Sequence, residues 1–393
     1  MEIASPVDGL AKLAPDGTSL SPSGLASAIL VGIVGAMTIL ITPGFLAVVA
    51  ALAPLDDAHL GYVVAWDINA MGVTIGISAL MLTRCNWRLA VALGIALATV
   101  GNLATAAAGS YAAIAAARVL AGCGEGMAVG FAFAALARAR NPDRAFALYL
   151  VFFLLLGAGL LLVIPSLLER FGPARLFIAN GLLAMGALCA LKWFPNGRAS
   201  EGDIFSITEP INHLLAIRAL VAVFLYFFAT GAMWSYVERI AVSNGLDAAT
   251  VAQSLSLGTL AGVVGAGVAG LVPASWGRAL PLAFSGIVSV ASFQLLNGHV
   301  SVVAFFLASA MLLFGWNFAQ PILSGICAEA DRCGRIVCAM GAIQTFGMGL
   351  GPAAVGLTLS SGGYAMAIWA SEAILLASLA IVIIAIRRPA TAS

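Results

Sequence analysis

Twelve apolar runs, each long enough to cross a bilayer, leave this chain little choice of fold. They fall at about 25–52, 60–82, 89–108, 111–137, 145–168, 174–194, 214–241, 248–272, 279–297, 301–327, 336–360 and 363–387, with short polar punctuation between them. A helix of about 20 apolar residues spans the hydrocarbon core. Inside lipid the backbone must satisfy its own hydrogen bonds, so runs of this length read as helices. Only 9% of the residues are charged, against roughly 25% in soluble domains. Twelve spans use up nearly all of the 393 residues, which leaves no room for a large soluble domain. The net charge of +1 offers no basic field for nucleic acid. The expected class is an all-α membrane protein with about twelve transmembrane helices, and its expected partners are the lipid bilayer and a small molecule.

The connections divide the chain. Residues 1–24 are polar and rich in Pro, Gly and Ser, without the basic start, short apolar run and cleavage site of a signal peptide. They read as a disordered cytoplasmic tail. The longest connection, 195–213, separates a six-helix bundle at 25–194 from a second at 214–387, and 388–393 form a closing tail. Basic residues set the orientation. With the N-terminus inside, Lys12, Arg84, Arg88, Arg138, Arg140, Arg144, Lys192, Arg198, Arg218, Arg278, Arg332, Arg335, Arg387 and Arg388 lie on the cytoplasmic side. Arg170, Arg175 and Arg239 lie at the outer ends, and Arg118 falls inside a span. The positive-inside rule therefore predicts cytoplasmic termini. The Ala-rich helices and short loops point to a bacterial inner membrane, and the chain is expected to be a monomer. No cysteine pair has C-x-x-C spacing, and His59, His213 and His299 lack metal-ligand spacing. Reduced thiols, no metal and no cofactor are expected.

The two halves carry a faint repeat. The turn after span 2 includes Thr83-Arg84-Cys-Asn86-Trp-Arg88, and that after span 8 reads Gly270-Leu-Val-Pro-Ala274-Ser-Trp-Gly277-Arg278. Parallel repeats of this kind are a feature of transporters. These turns resemble the G-x-x-x-D-R-x-G-R-R signature of the major facilitator superfamily, with Thr83 and Ala274 where that family has aspartate and Asn86 where it has glycine. Span 4 is more similar: Arg118-Val-Leu-Ala-Gly122-Cys-Gly124-Glu125-Gly126 fits R-x-x-x-G-x-G-x-G. Span 11 holds Gly347-Met-Gly349-Leu-Gly351-Pro352 and Gly356, like the family's glycine-proline motif, which marks antiporters when it occurs in span 5. The resemblance covers the whole chain. It implies two six-helix bundles rocking about a midplane site, with Arg84, Arg88, Gly270, Gly277 and Arg278 as cytoplasmic gating residues. The span 4 segment is similar to that of proton-coupled organic-anion symporters, in which it supplies a proton acceptor and a substrate-facing arginine. Span 1 lacks the basic residue those symporters carry.

Ionisable groups within a span cost roughly 2.5–3.5 kcal/mol on insertion scales, so each one calls for a reason. Arg118 and Glu125 lie seven residues apart, nearly two turns, on one face of span 4. Side chains lean toward a helix N-terminus, which carries Glu125 toward Arg118. Desolvation and the guanidinium then act on that carboxyl in opposite senses, as a proton-coupling site needs. Asp67 in span 2 reads as a second proton site, an outer gate residue or a partner for another helix. Glu238 in span 7 is a third proton-coupling candidate, while Arg239 beside it is expected to reach water or a headgroup. Glu372 in span 12 reads as a supporting pair. The resemblance puts substrate contacts on spans 1, 4, 7 and 10: Thr38, Thr42, Phe45, Arg118, Tyr226, Trp234, Tyr236, Trp316, Asn317 and Gln320. Aromatics with a few amides and hydroxyls would suit an amphipathic organic molecule.

No phosphate-binding G-x-x-x-x-G-K-[ST] loop argues for an ATP-driven pump, and no nucleophile or H-E-x-x-H motif argues for an enzyme. The expected function is proton-coupled uptake of a small organic acid or aromatic solute. The alternative is a drug or metabolite/proton antiporter.

Overall fold

The structure, a computed structural model, describes residues 20–196, 211–331 and 335–387. The expected tails and most of the central connection therefore lie outside the described residues, as do Lys12, Arg198, Arg332 and Arg388. Within them all regular structure is helical.

Twelve spans follow one another. Span 1 is a pair of helices, Pro22–Leu40 and Thr42–Leu52, broken at Ile41. Spans 2 to 5 are Asp57–Met81, Trp87–Ala107, Tyr111–Leu136 and Pro142–Phe171. Span 6 is Pro173–Gly186, continued by a 3-10 turn at Ala187–Ala190. Spans 7 to 10 are His213–Ser243, Ala248–Gly270, Ala279–Leu295 and Val302–Ala330. Spans 11 and 12 run through Arg335–Arg387, divided where Gly363 takes φ 63°, a backbone region that suits glycine. Most spans start at a Ser, Asp or Asn whose side chain accepts the backbone N–H three residues on. Ser21, Asp56, Asn86, Ser110, Asn141, Asn212, Asp247 and Ser301 all do so. Such caps satisfy N–H groups that a helix start leaves free.

In the first half, span 4 is the hub and packs against spans 1, 2 and 3, while span 6 closes on span 3. In the second half, span 10 packs against spans 8 and 9, and span 7 against the helix of spans 11 and 12. The halves meet where span 2 touches that helix, span 5 touches span 8, and the second part of span 1 touches span 7. Large apolar side chains face outward, including Leu89 at 72%, Leu183 at 69% and Ile287 at 70% exposed. An outer surface of this kind belongs in lipid.

The two ends of the bundle differ. Arg84, Arg88, Arg138, Arg140 and Lys192 sit at the end that holds residue 20, whose backbone N–H reaches the Arg138 carbonyl at 3.4 Å. This is the basic end. At the opposite end His59 packs edge-on against Tyr111, 4.8 Å between ring centroids. Spans 2 and 11 touch there. A Cβ on Gly61 would collide with the Tyr236 hydroxyl and come within 2.6 Å of the Pro352 carbonyl. Further along span 2, toward the basic end, Gly76 has nothing within 4 Å.

A buried carboxyl–guanidinium cluster as the candidate site

Span 4 can carry its charged pair next to span 2 because it presents no side chain in between. A Cβ on Gly122 would collide with the Asp67 carbonyl oxygen, and one on Gly126 with that of Met71. This contact brings Asp67, near the middle of span 2, against Arg118, and the two are 1% and 0% exposed. Arg118 Nε and Nη2 donate to Asp67 Oδ2 at 3.1 and 2.6 Å. Nη2 also donates to Glu125 Oε1 at 3.2 Å, and Nη1 to Asn102 Oδ1 at 3.0 Å. Four of the five guanidinium N–H groups are thus engaged inside the first half. Phe45 lies 5.0 Å from the guanidinium carbon, a cation–π contact, and is itself edge-on to Phe177.

Glu125 takes a further bond from Thr38, whose hydroxyl donates to Oε1 at 3.2 Å. Asn102 in turn accepts from Asn180 Nδ2 at 3.0 Å. Asp67 Oδ1 and Glu125 Oε2 are buried with no hydrogen-bond partner, as is the nearby Asn69 Oδ1. The inventory is one fixed cation, two carboxyls and two unused carboxyl oxygens. With both acids ionised the cluster holds a net charge of −1, and an uncompensated buried ion costs several kcal/mol. One proton neutralises it.

The expected pairing of Arg118 with Glu125 is therefore present, and Asp67 is the arginine's shorter partner. Arg118, expected as a substrate contact, is fully buried here and gives four of its five N–H donors to Asp67, Glu125 and Asn102. Phe45 likewise faces Arg118 and span 6. Thr42 donates to the Thr38 and Ile39 carbonyls of its own span, at 2.8 and 2.9 Å.

The second half treats its candidates differently. Tyr226 is fully buried and bonded to Ser285 and the Gly315 carbonyl, each at 3.0 Å, so it packs rather than faces a path. Trp234 is 1% exposed and donates to the Ile39 carbonyl across the halves at 3.2 Å. Trp316 is edge-on to Phe227, and Asn317 donates to the Leu313 carbonyl and faces Gly262 of span 8. Gln320 is half-buried. Glu372 accepts both bonds from Gln294, each at 2.8 Å, as a supporting pair would.

The residues expected at the gate lie at the basic end or turn the chain there. Arg84 is exposed; Arg88 donates to the Phe194 carbonyl at 2.6 Å, and Arg278 pairs with Glu329 at 2.8 Å. Gly270 has open space, and Gly277 turns the chain at φ 63°. Each of these bonds stays within its own half. Among the described residues the ion pair that crosses the halves is at the opposite end. There Arg239, expected in water or at a headgroup, donates to Asp57 Oδ1 through Nε at 2.9 Å and Nη2 at 2.7 Å. Tyr364 donates to Asp57 Oδ2, and Tyr236 to the Asp57 carbonyl at 2.6 Å. Glu238, next along, keeps Oε2 buried and without a partner. Sequence reasoning does not single out Asp57, Tyr364, Asn102 or Asn69. An Asn in the middle of an apolar span is the available signal for two of them.

The crystal structure of the human organic anion transporter MFSD10 (TETRAN) matches this chain with a TM-score of 0.65, over 96% of this chain and 100% of that one, at 14% identity. This chain has the major facilitator fold. No family model matches the sequence, and no curated protein does.

Proposed function

We propose that this chain is a proton-coupled secondary active transporter of a small organic solute, working by alternating access of its two halves. The observation that carries this reading is the buried cluster of two carboxyls on one guanidinium in the middle of spans 2 and 4. Glu125 is the coupling carboxyl, Asp67 shares the proton with it, and Arg118 holds both in place. Glu238, buried beside the Asp57–Arg239 pair, is a further proton site at the opposite end. In the orientation that the basic residues support, both termini are cytoplasmic, the end where spans 2 and 11 touch at Gly61 faces outward and the basic end faces the cytoplasm of a bacterial cell.

Uptake with the proton is supported by the Arg118 to Gly126 segment, and the likeness in fold to an organic anion transporter supports an organic acid as substrate. A second reading, export of amphipathic compounds in exchange for protons, is favoured by one observation: Arg118 is spent on its own carboxyls, and export needs no anion-binding arginine. Trp316 and Gln320 on span 10 and Trp234 on span 7 are the proposed substrate contacts once the halves rearrange.

The test is substrate-evoked proton movement in proteoliposomes, screening aromatic acids, other carboxylates and amphipathic amines. Lumen acidification with an external substrate identifies symport, and alkalinisation of an acidic lumen identifies antiport. Glu125→Gln is expected to abolish uphill transport and retain exchange. Full uphill transport by that variant would overturn the assignment.

A further inference from the structure

Span 1 is broken where it passes the cluster. Pro43 has no N–H, so the Ile39 carbonyl four residues back loses its helical donor. Ile41 between them takes φ −90° and ψ 12°, outside the helical well. The freed Ile39 carbonyl has two other donors. The Thr42 hydroxyl reaches it at 2.9 Å, and Trp234 Nε1, from the other half of the molecule, at 3.2 Å. Both flanks of the break touch the cluster: Thr38, one residue before Ile39, donates to Glu125, and Phe45, just past Pro43, lies on Arg118. Thr38 and Thr42 are 7% and 1% exposed, and Trp234 is 1% exposed, so water does not compete freely for these bonds. A continuous chain of contacts thus runs from the Glu125 carboxyl through Thr38 and the Ile39 carbonyl to an indole across the interface.

We propose that Thr38, Pro43 and Trp234 are positioning residues that carry the protonation state of Glu125 to the contact between the halves. This rests on the proton-coupled reading above. When Oε1 is the acceptor of the Thr38 hydroxyl, the first part of span 1 is held on span 4 and presents the Ile39 carbonyl to Trp234. When Glu125 takes up a proton its oxygen becomes a poorer acceptor and the Thr38 bond weakens. The break lets the first part of span 1 shift without carrying the second part with it. Trp234 then loses its acceptor, and the halves are released at mid-depth. The facing charged and titratable groups are Asp67 on span 2, Arg118 and Glu125 on span 4, and Glu238 and Arg239 on span 7.

The experiment follows Trp234 emission in the full-length protein, as the difference between wild type and Trp234→Phe, over a pH titration without substrate. In parallel, infrared spectra, each taken as the difference from the same protein carrying Glu125→Gln, follow protonation of the Glu125 carboxyl. A Trp234 transition is expected in wild type and in Thr38→Ser. It is expected to be lost in Glu125→Gln, in Thr38→Val, and in Pro43→Ala, which restores an N–H for the Ile39 carbonyl. Glu125 protonation should persist in Thr38→Val and Pro43→Ala, and an unchanged far-ultraviolet circular dichroism spectrum shows that these variants fold. A transition that persists in Thr38→Val and Pro43→Ala overturns the relay and leaves proton coupling standing. So does carboxyl protonation in wild type with no Trp234 response. If wild type shows neither signal, the proton-coupled reading itself fails.

Discussion

The two halves of this molecule have the same number of spans and bury polar groups in different ways. The first half gathers Asp67, Arg118 and Glu125 into one charged cluster, completed by Asn102 and Thr38. In the second half, most bonds deep between helices are neutral and single: Tyr226 to Ser285 and Gly315, Ser292 to the Ala308 carbonyl, Ser378 to the Ala222 carbonyl. Its buried acid Glu372 is held by an amide, not by a cation. A neutral bond is made or unmade at a cost of about 1 kcal/mol. A buried charge left without its partner costs about 3–5 kcal/mol. On the proposed reading, the cluster of the first half exists in two electrostatic states that differ by one proton, and the second half offers one buried acid without a full set of partners, Glu238. The contrast is the reason the coupling proton is proposed on the first half.

The contrast can be broken by substitution. Arg118→Met leaves two carboxyls without their cation and should cost about 3–5 kcal/mol, read as a lowered Tm in detergent; no loss would mean that the cluster is not a coupled unit. Gly122→Ala forces a methyl against the Asp67 carbonyl and should cost about 1–3 kcal/mol. In the second half a methyl added at Gly267 would meet nothing within 4 Å, so Gly267→Ala should be neutral or gain about 0.4–1 kcal/mol. Equal effects at the two glycines would mean that the contact of span 4 with span 2 is not as close as the structure has it. Tyr226→Phe should cost about 1 kcal/mol and leave the pH dependence of transport unmoved. A shifted pH profile would place part of the coupling in the second half.

The smallest effect is expected where the halves agree. Asp56 and Asp247 cap spans 2 and 8 outside the membrane. The His59 backbone N–H and side chain hold Asp56 below the usual carboxylate range, and the Thr250 hydroxyl and N–H do so for Asp247. A carboxylate with a lowered folded-state pKa contributes stability above its unfolded value and loses it as the pH falls through the folded one. Acidification below about 4 should therefore weaken both caps alike, seen as matched fraying in hydrogen exchange at residues 57–60 and 248–251.

Much of this arrangement is legible in residue order. The apolar runs place the spans to within a few residues, and the seven-residue spacing of Arg118 and Glu125 already puts them on one face. The partner of Arg118 on span 2 is harder to read, because it depends on how two helices register. Gly122, Gly126 and Gly130 hold the signal for it, a stripe four residues apart that meets Asp67, Met71 and Ser78. Sequence alone misplaces Arg239 because its partner, Asp57, is 182 residues away in the other half. Local hydropathy says nothing of such a contact. The surroundings of Asn317 are as hard to read: it faces Gly262 on span 8 while its amide bonds the Leu313 carbonyl of its own span.

The central claim is that Asp67, Arg118 and Glu125 together hold one proton. Infrared spectra of the purified protein report it directly, through the absorption of protonated carboxyls across a pH titration. A component of that band that titrates in wild type and is missing from Glu125→Gln combined with Asp67→Asn, while the other carboxyls titrate alike in both, is the expected result. Identical titrating bands in wild type and in that double variant would contradict it.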